Sequence, residues 1–432
     1  MHYRRSSHAA RETDEFVFQQ LIPYIGNKRK LLWLIEEALQ RVESRSRVHT
    51  FVDLFAGSTV VARFAKRRGL RVFANDWEPY AECLGQASLT CNAAPPFAAL
   101  GGYEGAIATL NALAPRAGWV TEHLCPADDD RVDSTSERQF FMRRNGMRID
   151  AVREAIAAWR EVGTIDAQEA HCLVAPLLYQ ACYTSNTSGV FKGYHEGWGG
   201  KNGTALHRIG STLTLRPLVF WDNARTNRVW RAEATELLGE LARSSSTETR
   251  LDENAVVYLD PPYNQHPYAS NYHLLNTLTL WDSPPLSPRI TRGDKAAIRT
   301  DWTERRSPYN HRRAAAEAFE GVLDAALEAG TRHVLVSYST DGMIPLPRLV
   351  TACAERGEVD FLKAPYKRYR VSPTRPSRKP LNVEFVLVLD LRRRPSDPAR
   401  TAEAIVDGLL RAEAQALAEH REGPGSGQSP DT

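Results

Sequence analysis

The chain has only six cysteines in 432 residues, and no two of them form a Cys-x-x-Cys pair. Cys83, Cys91, Cys125, Cys172, Cys182 and Cys353 lie scattered, which gives a zinc site or a dithiol redox motif little support. Scattered thiols in a long chain suit a reducing compartment. No run approaches the ~18 apolar residues of a membrane span. The N-terminal stretch MHYRRSSHAARETDE lacks the apolar core of a signal peptide. The expectation is therefore a cytoplasmic protein with no membrane contact and no metal. Charge bias is also slight, with a net charge of +3. That balance permits nucleic-acid binding without demanding it. No internal repeat is present.

What the chain does have is length and apolar content. At 432 residues and 42% hydrophobic, it can build two or three domains with a sizeable core. Its most informative stretch is Ala255 to Tyr263, AVVYLDPPY. Val256 to Leu259 read as a short buried strand. The strand stops at Asp260, because neither Pro261 nor Pro262 can donate a ladder hydrogen bond. A carboxylate, a rigid turn and the ring of Tyr263 thus sit at the carboxyl end of a strand, where open α/β sheets bind ligands. The chemistry suits a flat, amino-bearing ring. Asp260 and the Pro261 carbonyl can each accept a hydrogen from an amino group, and Tyr263 can stack on the ring face.

Two segments upstream share that logic. Thr50 to Thr59, TFVDLFAGST, reads as strand, Gly turn and helix entry, with the helix running from about Val60 to Arg68 and Gly69 as its cap. Arg71 to Asp76 is a second strand ending in an acid. Together they form a βαβ unit. Asp76 lies 23 residues beyond Asp53, close to the ~20-residue separation at which an acidic residue reaches ribose hydroxyls. Earlier still, Pro23 to Lys28 is a loop that delivers Lys28 to a helix start, where it can hold an anion or a carboxylate.

The remaining chain reads more coarsely. Residues 84–120 look irregular, with Pro95-Pro96 and Gly101-Gly102. Residues 137–161 and 166–183 look helical, and 212–221 and 382–392 look like strands. Helices are also expected over 232–242, 312–329 and 399–420, and a strand over 333–339. The loop SNTSGVFKGYHEGWGGKNG and the basic stretch 364–380 offer cations and aromatics for phosphates and bases. Residues 284–310, Pro-rich and basic, are expected to loop over the active face.

Taken in order, Tyr24-Ile25-Gly26-Asn27-Lys28-Arg29-Lys30, Asp53-Leu54-Phe55-Ala56-Gly57, Asn75-Asp76 and Asp260-Pro261-Pro262-Tyr263 resemble the Dam-like adenine-specific DNA methyltransferases. Asn271-Tyr272-His273, Ser337-Tyr338-Ser339, Tyr366 to Tyr369 and Glu384-Phe385 also fit, so the resemblance spans roughly residues 18–392. It implies an α/β fold, a Rossmann-like sheet of seven strands binding S-adenosylmethionine, with a mainly helical target-recognition insert. The implied domains are a disordered 1–15, a catalytic domain of 16–100 and 250–392, an insert of 101–249, and a C-terminal helix and tail from 393 to 432. By motif, Tyr24 and Lys28 should flank the donor's methionine end. Asp53, Phe55, Ala56 and Gly57 should approach its backbone, Asp76 should hold its ribose, and Asp260 should sit between donor and base. Double-stranded DNA is the expected partner, gripped by Arg143, Arg144, Arg148, Lys192, Lys201, Lys367 and Arg368. A cognate restriction endonuclease or defence-system subunit is a further expected partner. The alternatives are a cytosine-amino methyltransferase, where Ser is commoner at position 260, and an RNA or protein-amide enzyme, where Asn is usual. A silent DNA-binding subunit would have lost one of the acids at 53, 76 and 260, and all three are present. Two departures stand out: Asn27 where many relatives have Gly, and Thr59 where many have Gly.

Overall fold

Seven short runs of apolar, mostly β-branched or aromatic residues become strands of one sheet. The computed structural model describes residues 14–200, 203–288, 290, 294–303, 306–367 and 380–422. Residues 1–13, Lys201, Arg368 and the chain from 423 onward lie outside the described residues, as does the side chain of Lys367. The strands are β1 (Thr50–Asp53), β2 (Arg71–Asn75), β3 (Arg228–Trp230), β4 (Ala255–Leu259), β5 (His333–Ser339), β6 (Glu358–Lys367) and β7 (Leu381–Asp390). Their order is β3-β2-β1-β4-β5-β7-β6. The first five pair in parallel, and β7 runs antiparallel to both its neighbours. The order reverses between β1 and β4, so the crevice of this sheet opens beyond the carboxyl ends of those two strands.

Twelve of the helices cover the sheet or build the insert. They are α1 (Leu32–Glu43), α2 (Val60–Arg67), α3 (Pro79–Gly85), α4 (Gly102–Ala112), α5 (Trp119–Leu124), α6 (Arg143–Glu161), α7 (Ala167–Thr184), α8 (Ala234–Arg243), α9 (His273–Leu280), α10 (Ala315–Glu328), α11 (Leu346–Arg356) and α12 (Pro398–Glu422). Successive strand residues point to opposite faces. Val52, Val257 and Val334 pack one way, against α8, α10, α11 and α12. Phe51, Val256 and Leu335 pack the other way, against α1 and α2. Both faces are therefore dry, which is why the central strands read as continuous apolar runs.

A third core, made largely of helices, stands beside the sheet. It gathers Leu110, Leu124, Ile149, Leu173 and Leu177, and draws in Tyr80 and Leu84 from α3 and Leu275 and Leu278 from α9. Both α3 and α9 fall outside 101–249, whereas β3 and α8 fall inside that range and belong to the sheet.

Two expectations need correction, and two elements were not expected. Residues 84–120 are only partly irregular: 91–97 and 113–118 lack regular structure, but Gly101 and Gly102, at φ +71° and +86°, make the left-handed turn that starts α4. Residues 212–221 are extended but join no ladder. Side chains take the ladder's place: the Leu213 N–H donates to Asn145 Oδ1 at 3.0 Å, and the Leu215 N–H to Asn111 Oδ1 at 2.9 Å. The Leu218 N–H donates to the Tyr103 hydroxyl at 3.1 Å. Finally, α11 and β6 carry no expectation at all. In β6, Pro365 is tolerated because the strand is at the sheet edge.

Candidate active site

The carboxyl ends of β1, β2 and β4 bring three acids to one place. Asp53 closes β1, Asp76 follows β2 and Asp260 follows β4. A cleft of about 820 Å³, open at its mouth, lies over them. Tyr24, Gly26, Phe55, Asp76 and Asp260 to Tyr263 line it. Lys28, Asp53, Ala56 and Gly57 do not line it, and support it from behind.

Asp76 braces the turn after β1. Its Oδ2 accepts from the Gly57 N–H at 2.8 Å and its Oδ1 from the Glu78 N–H at 3.0 Å. Burial raises its pKa, and these backbone donors hold part of that rise back. Gly57 has φ +48°, and any side chain there would strike the Tyr24 ring at 2.7 Å. Thr59 also adopts a left-handed φ, +66°. A β-branched residue is strained there. Its hydroxyl is held by the Ser58 carbonyl and by Arg63 Nε at 3.0 Å. Gly57 and Thr59 together turn the chain sharply into α2. Asn27, by contrast, needs no left-handed backbone. It sits at φ −54° and caps the short helix Lys28–Leu31, its Oδ1 accepting from the Arg29 N–H at 2.7 Å.

Asp53 is 1% exposed. Burial and the neighbouring Asp260 charge push its pKa well up, against hydrogen bonds from the Phe55 and Ala62 backbone. Asp260 is likewise raised by burial and pulled back by Lys28. The Lys28 ammonium lies 2.8 Å from Asp260 Oδ1 and 3.9 Å from Glu384 Oε2, and its side chain is 2% exposed. It also donates to the Gly26 carbonyl at 3.2 Å and faces the Tyr263 ring at 5.2 Å. Burial disfavours the ammonium, but the two carboxylates outweigh it and raise the Lys28 pKa.

Aromatic rings set the cleft's shape. Tyr24, Tyr268 and Tyr272 form a cluster of near-parallel rings, with Tyr24 5.1 Å from each of the other two and those two 6.0 Å apart. The Tyr272 hydroxyl accepts from the Ile25 N–H at 2.8 Å, and the Tyr268 hydroxyl donates to the Ile25 carbonyl at 2.9 Å. Tyr263 meets the edge of Tyr338 at 5.9 Å. Across the cleft, Phe55 meets Tyr309 edge-on at 5.3 Å. Ser307 to Asn310 do line the cleft, and the Asn310 amide donates to the Asn264 carbonyl at 2.8 Å.

Sequence reasoning passed over several of these residues. Glu233 lines the cleft while its carboxylate caps α8 through the Thr235 and Glu236 N–H groups. Asn75 ties three strand ends: its amide donates to the Leu54 and Ala232 carbonyls, and its Oδ1 accepts from the Ala232 N–H. Glu384 appeared only as part of a dipeptide. A Gly-Asn turn or an acid near a strand start gives no hint of such partners.

The cations expected on DNA divide. Arg144 and Lys192 are exposed. Burial lowers the pKa of His266, in the loop after Tyr263, and the nearby Lys192 charge lowers it further. Arg143 is half-buried, with its guanidinium donating to the Pro126 carbonyl at 3.2 Å. Arg148, also expected on DNA, and Arg138 are internal braces: Arg138 donates to the Ser287, Asp294 and Lys295 carbonyls, and Arg148 to those of Leu213 and Asn111. Lys201 and Arg368, and the Lys367 side chain, fall outside the described residues.

Known proteins share this chain's pattern. A family model described as the D12 class of N6 adenine-specific DNA methyltransferases matches residues 24–214 and 226–290. That is more than half of the chain, and it includes Tyr24, all three acids and the Asp-Pro-Pro-Tyr loop. The chain belongs to this family. Among curated relatives, the type II methyltransferase M.NlaIII of Neisseria lactamica is 29% identical over 353 residues, covering 81% of this chain and 93% of its own. M.CviAII of Paramecium bursaria Chlorella virus 1 is 27% identical over 354 residues, with the same coverage. M.FokI of Planomicrobium okeanokoites is 27% identical over 350 residues, and the chain spans about half its length, 49%. This protein is thus a DNA methyltransferase of the N6-adenine class, which sets aside the cytosine, RNA, protein-amide and silent-subunit readings. Among the described residues no group of three or more His, Cys, Asp or Glu could hold a metal, and no helix is long and apolar enough to cross a membrane.

Proposed function

We propose that this DNA adenine methyltransferase takes its methyl group from S-adenosylmethionine and delivers it to an adenine drawn out of the duplex, with Asp260 as the central acceptor. The single observation that carries this is the position of Asp260: 15% exposed, at the cleft floor, with Lys28 fixing its Oδ1. The cleft fits a cationic nucleoside donor. Asp76, Glu78, Glu233 and Asp260 give its walls negative charge, and Tyr24, Phe55 and Tyr309 offer apolar faces. When bound, the donor supplies an electrophilic methyl group on a sulfonium.

The chain's own residues do the rest. An adenine amino nitrogen is a weak nucleophile because its lone pair is shared with the ring. The Asp260 carboxylate and the Pro261 carbonyl each accept one amino hydrogen, which favours a tetrahedral nitrogen with its lone pair free for in-line displacement. Position and electrostatics provide most of the rate. Tyr263, braced against Tyr338, stacks on the extruded base. Asp76 accepts from the donor's ribose, and Tyr24 closes the methionine end. Arg144 and Lys192 lie on DNA phosphates, so binding weakens with salt.

Relatives named as type II methyltransferases and modification methylases support a role in restriction–modification; a cytoplasmic location and a cognate endonuclease are parts of this proposal. The test is a tritium-transfer assay on unmethylated genomic DNA, digested to nucleosides. Wild-type enzyme should place label in N6-methyladenine. Asp260→Ala should lose about 10²-fold to 10³-fold or more in rate, the range for one preorganised electrostatic group being about 10²–10³, while still binding donor. Retained turnover would sink the assignment of Asp260.

A further inference from the structure

Lys28 has two carboxylate partners, yet it touches only one. Its ammonium is at contact distance from Asp260, 2.8 Å, and 3.9 Å from Glu384. Glu384 opens the sheet-embedded part of β7 and pairs with Ser339 of β5 and Ala364 of β6. Its side chain is 5% exposed, and among the described residues neither its Oε2 nor Asp260 Oδ1 accepts a well-aligned hydrogen bond, so the two oxygens differ in their distance to the Lys28 ammonium. A buried carboxylate oxygen left without a donor is uncommon and costly. Closing from 3.9 Å to 2.8 Å takes a shift of about 1 Å, well within the reach of a lysine's four-carbon stem.

The pairing matters because of what Asp260 has to do. An oxygen already bound to an ammonium carries less charge to offer an amino hydrogen. We propose that Glu384 is a positioning residue for methyl transfer: it takes over the Lys28 ammonium as the substrate's amino group arrives, leaving Asp260 free to accept from that group. This rests on the reading of Asp260 as the acceptor. Lys28 then acts as a shuttle between two fixed carboxylates, and the structure shows the end of its travel nearest Asp260.

Glu384 can draw the ammonium only when ionised. Burial raises its carboxyl to about 7, countered chiefly by Lys28. The groups facing it are Lys28 from the N-terminal loop, Asp260 and Tyr263 from the β4 end, Ser339 and Asp341 from the β5 end, and Tyr366 from β6. Asp260 and Asp341 raise its pKa, and Lys28 and Ser339 lower it. Below that value Glu384 is neutral and Lys28 stays on Asp260.

Single-turnover methyl transfer to an adenine-containing duplex, measured from pH 6 to pH 8.5, tests this. The wild-type rate should rise through about pH 7. Glu384→Gln should be slower by about 3-fold to 100-fold, the span of coupling between contacting charged groups, with that limb of the profile gone. Donor affinity should hold, because Glu384 does not line the cleft. Glu384→Asp should restore part of the rate and the pH dependence. Adding Glu384→Gln to Lys28→Gln should cost nothing further, since Glu384 acts through Lys28. A wild-type rate and profile in Glu384→Gln would overturn the inference, as would a flat wild-type profile or losses that multiply in the double variant. Asp260→Ala run alongside separates the two readings: if it stays active, the acceptor assignment falls first. If it is dead while Glu384→Gln is normal, only the shuttle falls.

Discussion

Replacing Gly57 with alanine tests whether the turn after β1 and the wall of the cleft are one object. Gly57 has φ +48°, and a Cβ there would lie 2.7 Å from Tyr24 Cε1 and 2.8 Å from Cζ and Oη. Carbon atoms prefer 3.5–4.0 Å, so the overlap approaches 1 Å against two ring carbons, with the hydroxyl oxygen equally close. Tyr24 cannot easily yield. It is stacked at 5.1 Å on both Tyr268 and Tyr272, and their hydroxyls grip the N–H and carbonyl of Ile25 beside it. Two terms add. Left-handed backbone costs an alanine about 1–2 kcal/mol. Forced overpacking adds about 1–3 kcal/mol. The sum is about 2–5 kcal/mol. Gly69 supplies the control: it has φ +84° with nothing within 4 Å of its Cβ position, so Gly69→Ala should show only the first term. Urea denaturation of both variants measures the difference, and calorimetry with S-adenosylmethionine measures whether a displaced Tyr24 weakens donor binding. Equal destabilisation of the two variants, with donor binding intact, would refute the reasoning.

Two further outcomes follow from the arginines. Arg144→Ala should weaken DNA binding alike on all sequences and reduce the slope of log affinity against log salt by about one. Arg148→Ala should leave that slope alone and lower stability, because its guanidinium serves the Leu213 and Asn111 carbonyls; fluorescence anisotropy over a salt series separates the two. Arg299 clamps Asp282 and Asp301 with four hydrogen bonds of 2.7–3.0 Å and anchors the segment that carries Ser307 to Asn310. Its partners are 40% and 34% exposed, so Arg299→Ala should cost about 1–2 kcal/mol, less than a fully buried pair. Faster tryptic cleavage near residue 300 would be its signature.

The strand ends were legible because parallel strands stop abruptly, and Asp53, Asp76 and Asp260 each mark such a stop. The turn at Gly57 and the proline pair after Asp260 carry their own chemistry. Other features depend on what meets in space. Nothing in Arg138 or Arg148 separates a brace for buried carbonyls from a phosphate contact, since either role needs only a charged fork. Glu384 is aimed at Lys28 by the antiparallel register of β7 on β5, set 45 residues away at Ser339. Residues 212–221 read as a strand, yet Asn111, Asn145 and Tyr103 satisfy their backbone first.

The grip of Tyr268 and Tyr272 on Ile25 bears on how target specificity could be exchanged. Leu275 and Leu278 of α9 are rooted in the insert's core, and Asn276 of the same helix donates to Glu78 at 2.6 Å beneath the cleft. The segment proposed to read DNA and the wall proposed to hold the donor therefore share one foundation. A chimera that imports residues 101–249 from a relative would join mismatched halves of it. Grafts that carry the Ile22–Lys28 loop, α3 and residues 268–281 along with the insert would transplant the foundation whole, and these are the boundaries at which new specificities should be built.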